Sequence, residues 1–336
     1  MGDLIMRTVL DLRTPVPKYL LQTLLLAASW HRFARQIAPL EVRCIGDLPP
    51  RLQDRLFELG VAITQIQPNQ NDNFSKTSNT IQGAAPADGK RILLIDNDVV
   101  FSGSPTELGA INRGAIHGAV AGNARVKPQQ WVFLAELGYK PHPCRPEPPR
   151  TALLRAKVAG RAAPPSLDIS YVNGGVVVFP SGTNFQSDWQ SKQKEIADAF
   201  LGHPLDSDSV RKSNMTALAV TIGAFGKFDW LPYGYNYRHA DFALGLCESD
   251  EIKLIHMTGL GKRTEAISLS RWVIEYWAQK MTHLLGQLKP CLSGPEFDRR
   301  SHIAATSLRR ILDVITDYEL DPLAQKLIVE RASILT

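Results

Sequence analysis

The chain has 336 residues, of which 44% are apolar and 21% are charged, and its formal net charge is +5. This composition excludes a wholly disordered chain, and the excess of positive charge is too small to indicate a nucleic-acid-binding protein by itself. The four cysteines form no CxxC pair, which argues against a zinc or redox motif and fits a reducing cytosol. They are Cys44, Cys144, Cys247 and Cys291.

The first 66 residues alternate between strand and helix patterns. Strands are predicted at residues 4–12, 40–45 and 61–66, and helices at residues 18–35 and 50–59. Short strands that alternate with helices are typical of a parallel sheet covered by helices. We therefore expect an α/β fold with a Rossmann-like, mostly parallel central sheet flanked by helices.

The remainder of the chain continues this pattern, with one change in composition. The predicted elements are a short helix at 76–82, strands at 91–100, 170–180 and 252–257, and helices at 185–200, 208–225 and from 268 onward. Residues 113–161 hold nine basic and two acidic side chains and six prolines. We interpret about 113–165 as a basic, proline-rich loop. This loop either extends into solvent at the surface or forms one side of a site that attracts an anionic substrate or membrane headgroups.

The N-terminal region does not resemble a secretory signal, because Asp3 comes early and Asp11 interrupts the apolar stretch. The longest apolar run, residues 19–30, is interrupted by Gln22 and Thr23 and is shorter than the roughly 20 residues of a membrane span. We therefore expect a cytoplasmic protein with at most peripheral contact at the inner membrane face.

Two carboxylates follow the most apolar short run of the N-terminal half, Ile92–Ile95. On an extended segment, Asp96 and Asp98 point to one side, with Asn97 between them. Two carboxylates held together repel each other unless a cation lies between them, and hard oxygen ligands favour Mg²⁺ or Mn²⁺. Open α/β folds bind ligands at the carboxyl edge of the sheet. The pattern therefore predicts a divalent metal site, with a simple capping turn as the alternative.

Two classes of enzyme carry such a DxD motif after an apolar strand. One is a phosphatase of the haloacid-dehalogenase type, in which Asp96 would be the nucleophile. That class needs a later acidic pair, and the only candidate here is at Asp206 and Asp208. The other class is a nucleotide-sugar transferase, whose DxD motif follows a nucleotide-binding βαβαβ region. The order of elements favours the second class, because three β-units precede Asp96 here.

Three segments together carry a more specific likeness: ILLIDNDVVF at 92–101, YVNGGVVVF at 171–179 and IHMTGLGK at 255–262. With these motifs in this order, residues 4–263 resemble glycosyltransferase family 8, the glycogenin- and galactosyltransferase-like enzymes with the GT-A fold. Lys76 stands where such enzymes carry a lysine near the nucleotide donor, and Asn79 lies one turn further on. Leu12, Arg13 and Tyr19 follow the first strand, where the family binds the nucleotide base.

The third segment resembles the family's His-x-x-Gly-x-x-Lys motif, with His256, Gly259 and Lys262 in register. A neutral imidazole is a good third ligand for Mn²⁺ beside two carboxylates. Glycine lets backbone amides approach a phosphate closely, and lysine supplies a point charge for a leaving diphosphate. A histidine satisfied in the core is the alternative. The segment is not a Walker loop, because Arg263 stands where Ser or Thr is required.

The sequence departs from the family pattern in a later helix and also at Arg263-Thr264, where the family commonly carries Pro-Trp. The family carries Asp-Gln at the start of a later helix, close to the reacting sugar carbon, and here Asn214 and Met215 occupy those positions. Asparagine can form a hydrogen bond with a sugar hydroxyl but cannot carry negative charge. Either Asn214 acts in catalysis, or Asp206 or Asp208 fills the role through a shifted loop. A non-catalytic relative that only binds nucleotide sugars is the further alternative.

The resemblance implies a metal-dependent hexosyltransferase that moves a sugar from a UDP-sugar to a saccharide, lipid-linked or protein hydroxyl with retention, using Mn²⁺ or Mg²⁺. It implies a transferase domain at 1–263, and we expect 264–336 to be a helical extension that packs on it. The implied residues are, for the metal, Asp96, Asp98 and His256; for the donor, Lys76, Asn79, Asp96, Asn97, Asn173, Gly174, Gly175, Gly259 and Lys262; and for catalysis, Asn214 and Asp208.

Overall fold

The structure is a computed structural model of the chain. It describes residues 3–13, 17–69, 76–121, 126–139, 150–162, 172–207, 214–258 and 268–333.

Seven strands form the central sheet, and two more form a small second sheet, within the described residues. The strands are β1 (Leu4–Asp11), β2 (Leu40–Ile45), β3 (Ala62–Gln65), β4 (Arg91–Ile95), β5 (Val99–Phe101), β6 (Ile116–Val120), β7 (Val172–Phe179), β8 (Phe228–Trp230) and β9 (Leu254–His256). The central order is β3-β2-β1-β4-β7-β6-β8, and β7 alone runs against its neighbours. The predicted α/β fold with a mostly parallel sheet is confirmed.

Helices cover both faces of the sheet. The described α-helices are α1 (Pro17–Phe33), α2 (Pro50–Glu58), α3 (Pro128–Glu136), α4 (Arg150–Val158), α5 (Phe185–Phe200), α6 (Asn214–Phe225), α7 (His239–Leu244), α8 (Leu269–Leu288), α9 (Gly294–Asp317) and α10 (Leu320–Ser333). Short 3₁₀ helices occupy Lys76–Ala84, Thr106–Gly109 and Lys289–Cys291. None of the helices in these ranges has the length and apolar character needed to cross a bilayer.

Strand β4 lies at the centre of the sheet and is buried along its whole length. Successive side chains of a strand point to opposite faces. Leu93 and Ile95 accordingly join the hydrophobic cluster that contains α1, whereas Ile92 and Leu94 join the cluster that contains α5 and α6. Burial on both faces explains why this strand is a continuous apolar run rather than an alternating one.

The interpretation of about 113–165 as a loop is wrong for its described parts. They contain the buried strand β6 and the helices α3 and α4. The basic charge and the prolines of this region do not suggest a strand or helices. Pro128 nevertheless occupies the first turn of α3, where its missing N–H costs nothing. Strand β6 lies between β7 and β8 inside the central sheet.

The C-terminal helices α9 and α10 pack against α1, and α8 packs against α7 and α9. Trp272, Trp277 and Ile311 are buried in the same hydrophobic cluster as the residues of α1. At the edge of this contact, His31 Nδ1 lies 2.8 Å from the Tyr318 hydroxyl. The helical character of this region matches the expectation, while a domain boundary at 263/264 stays a prediction, because 259–267 lie outside the described residues.

Candidate metal centre and adjoining cavity

The carboxyl ends of β1 and β4 open into a cavity of about 350 Å³. Asp11 ends β1, and Asp96 directly follows β4. Because β7 runs in the opposite direction, its first residues, 172–175, reach the same edge of the sheet. Open α/β sheets bind ligands at this edge, so the cavity lies where a ligand is expected.

Three side chains that could hold a metal ion meet at the lining of the cavity. His256 Nε2 lies 3.0 Å from Asp98 Oδ1 and 3.9 Å from Asp96 Oδ2. One ligand atom from each residue lies within 4.8 Å of the other two. The imidazole is 4% exposed, while 34% of the Asp96 side chain and 22% of the Asp98 side chain remain accessible. The buried ring thus supports two carboxylates that a ligand can reach.

The backbone explains how these residues meet. Residues 91–100 do not form one extended strand as predicted, because a turn at 96–98 separates β4 from β5. After this turn, β5 leaves the central sheet and pairs with β9, which places Val99 opposite His256. The N–H of Met257 donates to the carbonyl oxygen of Asp98 at 2.8 Å. The carboxylates therefore converge through a turn and a strand pair, and not through strand alternation.

The pKa values of Asp96, Asp98 and His256 are shifted because the three groups are buried and their charges lie close together. Burial, together with the negative charge of Asp98, raises the pKa of Asp96 to about 6. Burial alone would lower the pKa of His256, but the carboxylate of Asp98 outweighs it and raises that pKa. Burial likewise opposes ionisation of Asp98, yet the charge and hydrogen bond of His256 keep its pKa low. A cation held between the carboxylates would relieve their repulsion.

The donor set suits a divalent metal. Two carboxylate oxygens and one imidazole nitrogen match the preferences of Mn²⁺ and Mg²⁺. His256 Nδ1 lies 2.7 Å from Asn236 Oδ1, so the ring turns Nε2 toward the carboxylates. A hydrogen bond at the other ring nitrogen is the usual arrangement for a metal-binding histidine. Asp96, Asp98 and His256 therefore fit the metal centre predicted from the sequence.

The segment Asn173-Gly174-Gly175 lies inside β7 and lines the cavity. A Cβ atom at Gly175 would lie 2.3 Å from His256 Cε1, so only glycine allows the ring to rest against this backbone. At Gly174 the nearest atoms are 3.9 Å from the same position. The N–H of Asp96 donates to the carbonyl oxygen of Gly175 at 2.9 Å, which ties β7 to the metal centre.

Two predicted donor residues contact β1. Asn79 is buried, and its Nδ2 donates to Asp11 Oδ2 at 2.6 Å while its Oδ1 accepts from the N–H of Asn69. Asn79 therefore holds Asp11, which lines the cavity, in place. Asn97 also lines the cavity, and its Nδ2 donates to the carbonyl oxygen of Val9 at 3.4 Å.

The remaining predicted residues divide into two groups. Asn214 and Met215 begin α6 and line the same cavity as the three candidate metal ligands. Asp206 is described but is not among the residues that line the cavity. Asp208, Gly259 and Lys262, and the side chain of Lys76, lie outside the described residues.

Sequence reasoning missed several residues around the cavity. Asp11 could have been found, because it ends a parallel strand at the same edge as Asp96. Lys18 and Gln22 lie on the first turns of α1 and face the cavity. Asn236 carries no sequence signal, since it stands between two tyrosines in a loop, and only the fold brings it to His256.

Neither a protein-family model nor a curated protein matches the chain. Solved structures similar to it include mouse xyloside xylosyltransferase 1 in its apo form, at 13% identity and a TM-score of 0.42, covering 78% of this chain and 100% of that one. GlyE of Streptococcus pneumoniae is similar at 13% identity and a TM-score of 0.45, over 83% of this chain and 63% of GlyE. The bifunctional glycosyltransferase WbbM, also apo, is similar at 11% identity and a TM-score of 0.40. That match spans 84% of this chain and 51% of WbbM.

Proposed function

We propose that this protein is a metal-dependent glycosyltransferase that moves a sugar from a nucleotide sugar, a UDP-sugar, to an acceptor hydroxyl with retention. The observation that carries the proposal is the convergence of Asp96, Asp98 and His256 beside a cavity at the carboxyl edge of the sheet. The motifs around these residues resemble those of glycosyltransferase family 8, which supports the same assignment.

Asp96, Asp98 and His256 would hold Mn²⁺ or Mg²⁺. When bound, the cation supplies positive charge that stabilises the leaving diphosphate. On the protein side, Lys18 lines the same cavity and adds a positive charge close to Asp98. In the proposal Lys76, Gly259 and Lys262 also contact the donor.

The sugar would lie between β7 and α6. The Oδ1 atom of Asn173 accepts hydrogen bonds from within the protein, so its Nδ2 is the group available to a ligand. Asn214 lines the opposite side and can form a hydrogen bond with a sugar hydroxyl. Among the described carboxylates of the cavity, Asp11 is held by Asn79 and Arg13. Asp208 therefore stays the candidate if the reaction needs a further carboxylate.

Binding of UDP in the presence of Mn²⁺ tests the metal role. By isothermal titration, we expect the Asp98→Asn variant to lose more than about 100-fold in Mn²⁺-dependent UDP affinity, since a direct ligand contributes at least as much as its supporting residues. Asp54, exposed on α2, offers a matched control, and Asp54→Asn should bind like the wild type. Equal UDP affinity with and without Mn²⁺ in the wild type would contradict the proposal.

The presence of Asn214 in place of an acid favours a second candidate, a protein that binds nucleotide sugars without transferring them. Incubation of the wild type with UDP-sugars and Mn²⁺ separates the two. Release of UDP together with transferred or free sugar supports the transferase. Tight binding without turnover of any UDP-sugar supports the binding protein.

The phosphatase alternative has less support from the geometry. It requires a later acidic pair near Asp96, whereas the group that faces Asp96 is His256, and Asp206 does not line the cavity. Beryllofluoride, which mimics a phosphorylated aspartate, tests it directly. Formation of a stable adduct at Asp96 would favour the phosphatase over the transferase. The acceptor and the cytoplasmic location stay predictions from the sequence.

A further inference from the structure

Asn236 lies directly behind the metal centre. It is 1% exposed, and its Oδ1 lies 2.7 Å from His256 Nδ1, on the side of the ring that faces away from the carboxylates. Its backbone has a φ of 70°, in the left-handed region that side chains other than those of Asn and Asp rarely adopt. A glycine would suit this backbone better. What the asparagine adds at this position is therefore its amide group.

A chain of hydrogen bonds fixes the orientation of that amide. The N–H of Gly175, which can only donate, lies 2.8 Å from Asn173 Oδ1, so the oxygen of Asn173 must face it. The same oxygen lies 3.0 Å from Asn236 Nδ2, which must therefore be the donor. Asn236 consequently turns its Oδ1, an acceptor, toward the ring of His256.

The orientation of Asn236 determines what the imidazole can offer. Because Asn236 Oδ1 only accepts, His256 must donate from Nδ1. In the protonated ring Nε2 also donates, to Asp98, whereas in the neutral ring, the form that binds a metal, Nε2 carries the lone pair. That lone pair points to the space shared with Asp98 and Asp96. The chain of hydrogen bonds thus runs from the backbone N–H of Gly175 through Asn173 and Asn236 to Nδ1 of His256. It thereby leaves Nε2 as the atom that would bind a metal.

We propose that Asn236 is a positioning residue that fixes the tautomer and the ring plane of His256 for a divalent cation, with Asn173 as the next link toward β7. The inference rests on the proposed metal-dependent function. Residues that bind the second ring nitrogen of a histidine ligand set its orientation and basicity, and their loss typically weakens metal affinity by 10–100-fold.

The test measures the affinity for Mn²⁺ alone, by following free Mn²⁺ with electron paramagnetic resonance during titration. Asn236→Gly removes the amide but suits the left-handed backbone, and it should bind Mn²⁺ about 10–100-fold more weakly than the wild type. Asn236→Asp keeps an acceptor for Nδ1 but loses the N–H that donates to Asn173, so it should lose less Mn²⁺ affinity than Asn236→Gly. Glu319 is the matched control, because it is exposed and also has a positive φ, so Glu319→Gly should bind normally.

Each outcome decides a different question. If the wild type does not bind Mn²⁺, the proposed metal-dependent function fails. If the wild type binds and Asn236→Gly binds equally well, the positioning role is overturned. Equal losses in Asn236→Gly and Asn236→Asp would also overturn it, because an acceptor for Nδ1 should restore part of the affinity. Should Asn236→Gly not fold, Asn173→Ala decides: weaker Mn²⁺ binding supports the proposal, and unchanged binding overturns it.

Discussion

His256 Nε2 lies 3.0 Å from Asp98 Oδ1, although the two residues come from distant parts of the chain. The pairing of β5 with β9 and the hydrogen bond from the N–H of Met257 to the carbonyl oxygen of Asp98 bring them together. The candidate metal centre therefore lies where the turn after β4 leads into two short strands outside the central sheet, and its geometry depends on how those strands are held.

Metal binding should weaken as the pH falls. The pKa of Asp96 is raised to about 6 and that of His256 is also raised, so protons compete for both ligands in mildly acidic solution. The pKa of Asp98 is lowered, so this residue stays ionised over the same range. The apparent Mn²⁺ affinity should fall as the pH is lowered through about 6, the pKa of Asp96, by up to about tenfold per pH unit for each proton displaced.

Calorimetry in buffers of different ionisation enthalpy counts the protons released when Mn²⁺ binds. We expect release of at least part of a proton near pH 6 and less at higher pH, where the ligands have already lost their protons. An affinity that does not change over this range would contradict the proposed ligand set.

The two neighbouring glycines of β7 should differ in their tolerance of a side chain. In Gly175→Ala the new Cβ would meet His256 at 2.3 Å, so the ring or the strand must move. Overpacking of this kind costs about 1–3 kcal/mol of unfolding free energy. Gly174→Ala is the control, because its Cβ would have ordinary contacts at 3.9 Å.

Urea unfolding and Mn²⁺ titration of both variants check this prediction. Gly175→Ala should lose both stability and metal affinity, whereas Gly174→Ala should keep its stability within about 0.5 kcal/mol and its metal affinity unchanged. Wild-type Mn²⁺ affinity in Gly175→Ala would show that the ring does not depend on this contact.

Asn214 should affect the sugar and not the nucleotide. Its side chain lines the cavity at the start of α6. Loss of one hydrogen bond to a sugar hydroxyl in Asn214→Ala should lower kcat/KM for the UDP-sugar by about tenfold, the effect of roughly 1.4 kcal/mol. The affinity for UDP, which lacks the sugar, serves as the internal control. An equal loss of UDP binding would place Asn214 at the nucleotide instead.

The C-terminal helices should stabilise the fold from behind the metal centre. The ring of Trp277 on α8 is buried and packs edge-on against Phe242, with a centroid distance of 5.1 Å. Trp277→Ala should cost about 3–5 kcal/mol of unfolding free energy. Ile274 on the same helix is exposed, and Ile274→Ala should change the unfolding free energy by less than about 0.5 kcal/mol. Equal denaturation midpoints for the two variants would contradict this account.

The elements that could be predicted are those that one short window of sequence determines. The run Ile92–Ile95 is apolar because β4 is buried on both faces, and it marks the strand unambiguously. Strand β6 was not predicted because Ile116–Val120 includes His117 and Gly118 and lies among basic residues, although the strand is fully buried. Strand β8 has only three residues, too few for any period to emerge.

The candidate site likewise contains residues that could be predicted from the sequence and residues that could not. Asp96, Asp98 and His256 stand in motifs that mark a metal ligand by residue type and spacing. The turn that separates β4 from β5 depends on β5 pairing with β9, which no local pattern contains. Asn236 likewise reaches His256 only through the fold. Sequence thus identified the groups that can bind a metal, but not the groups that orient them.

Strand polarity has a chemical role in this molecule. Had β7 run with the rest of the sheet, Gly175 would lie at the far rim, and His256 would have no bare backbone to rest against. Because β7 alone is reversed in the central sheet, its first residues reach the edge where the neighbouring strands end, and they line the same cavity. A redesign in which all strands of the central sheet run parallel would therefore remove the backbone contact that supports the imidazole of His256.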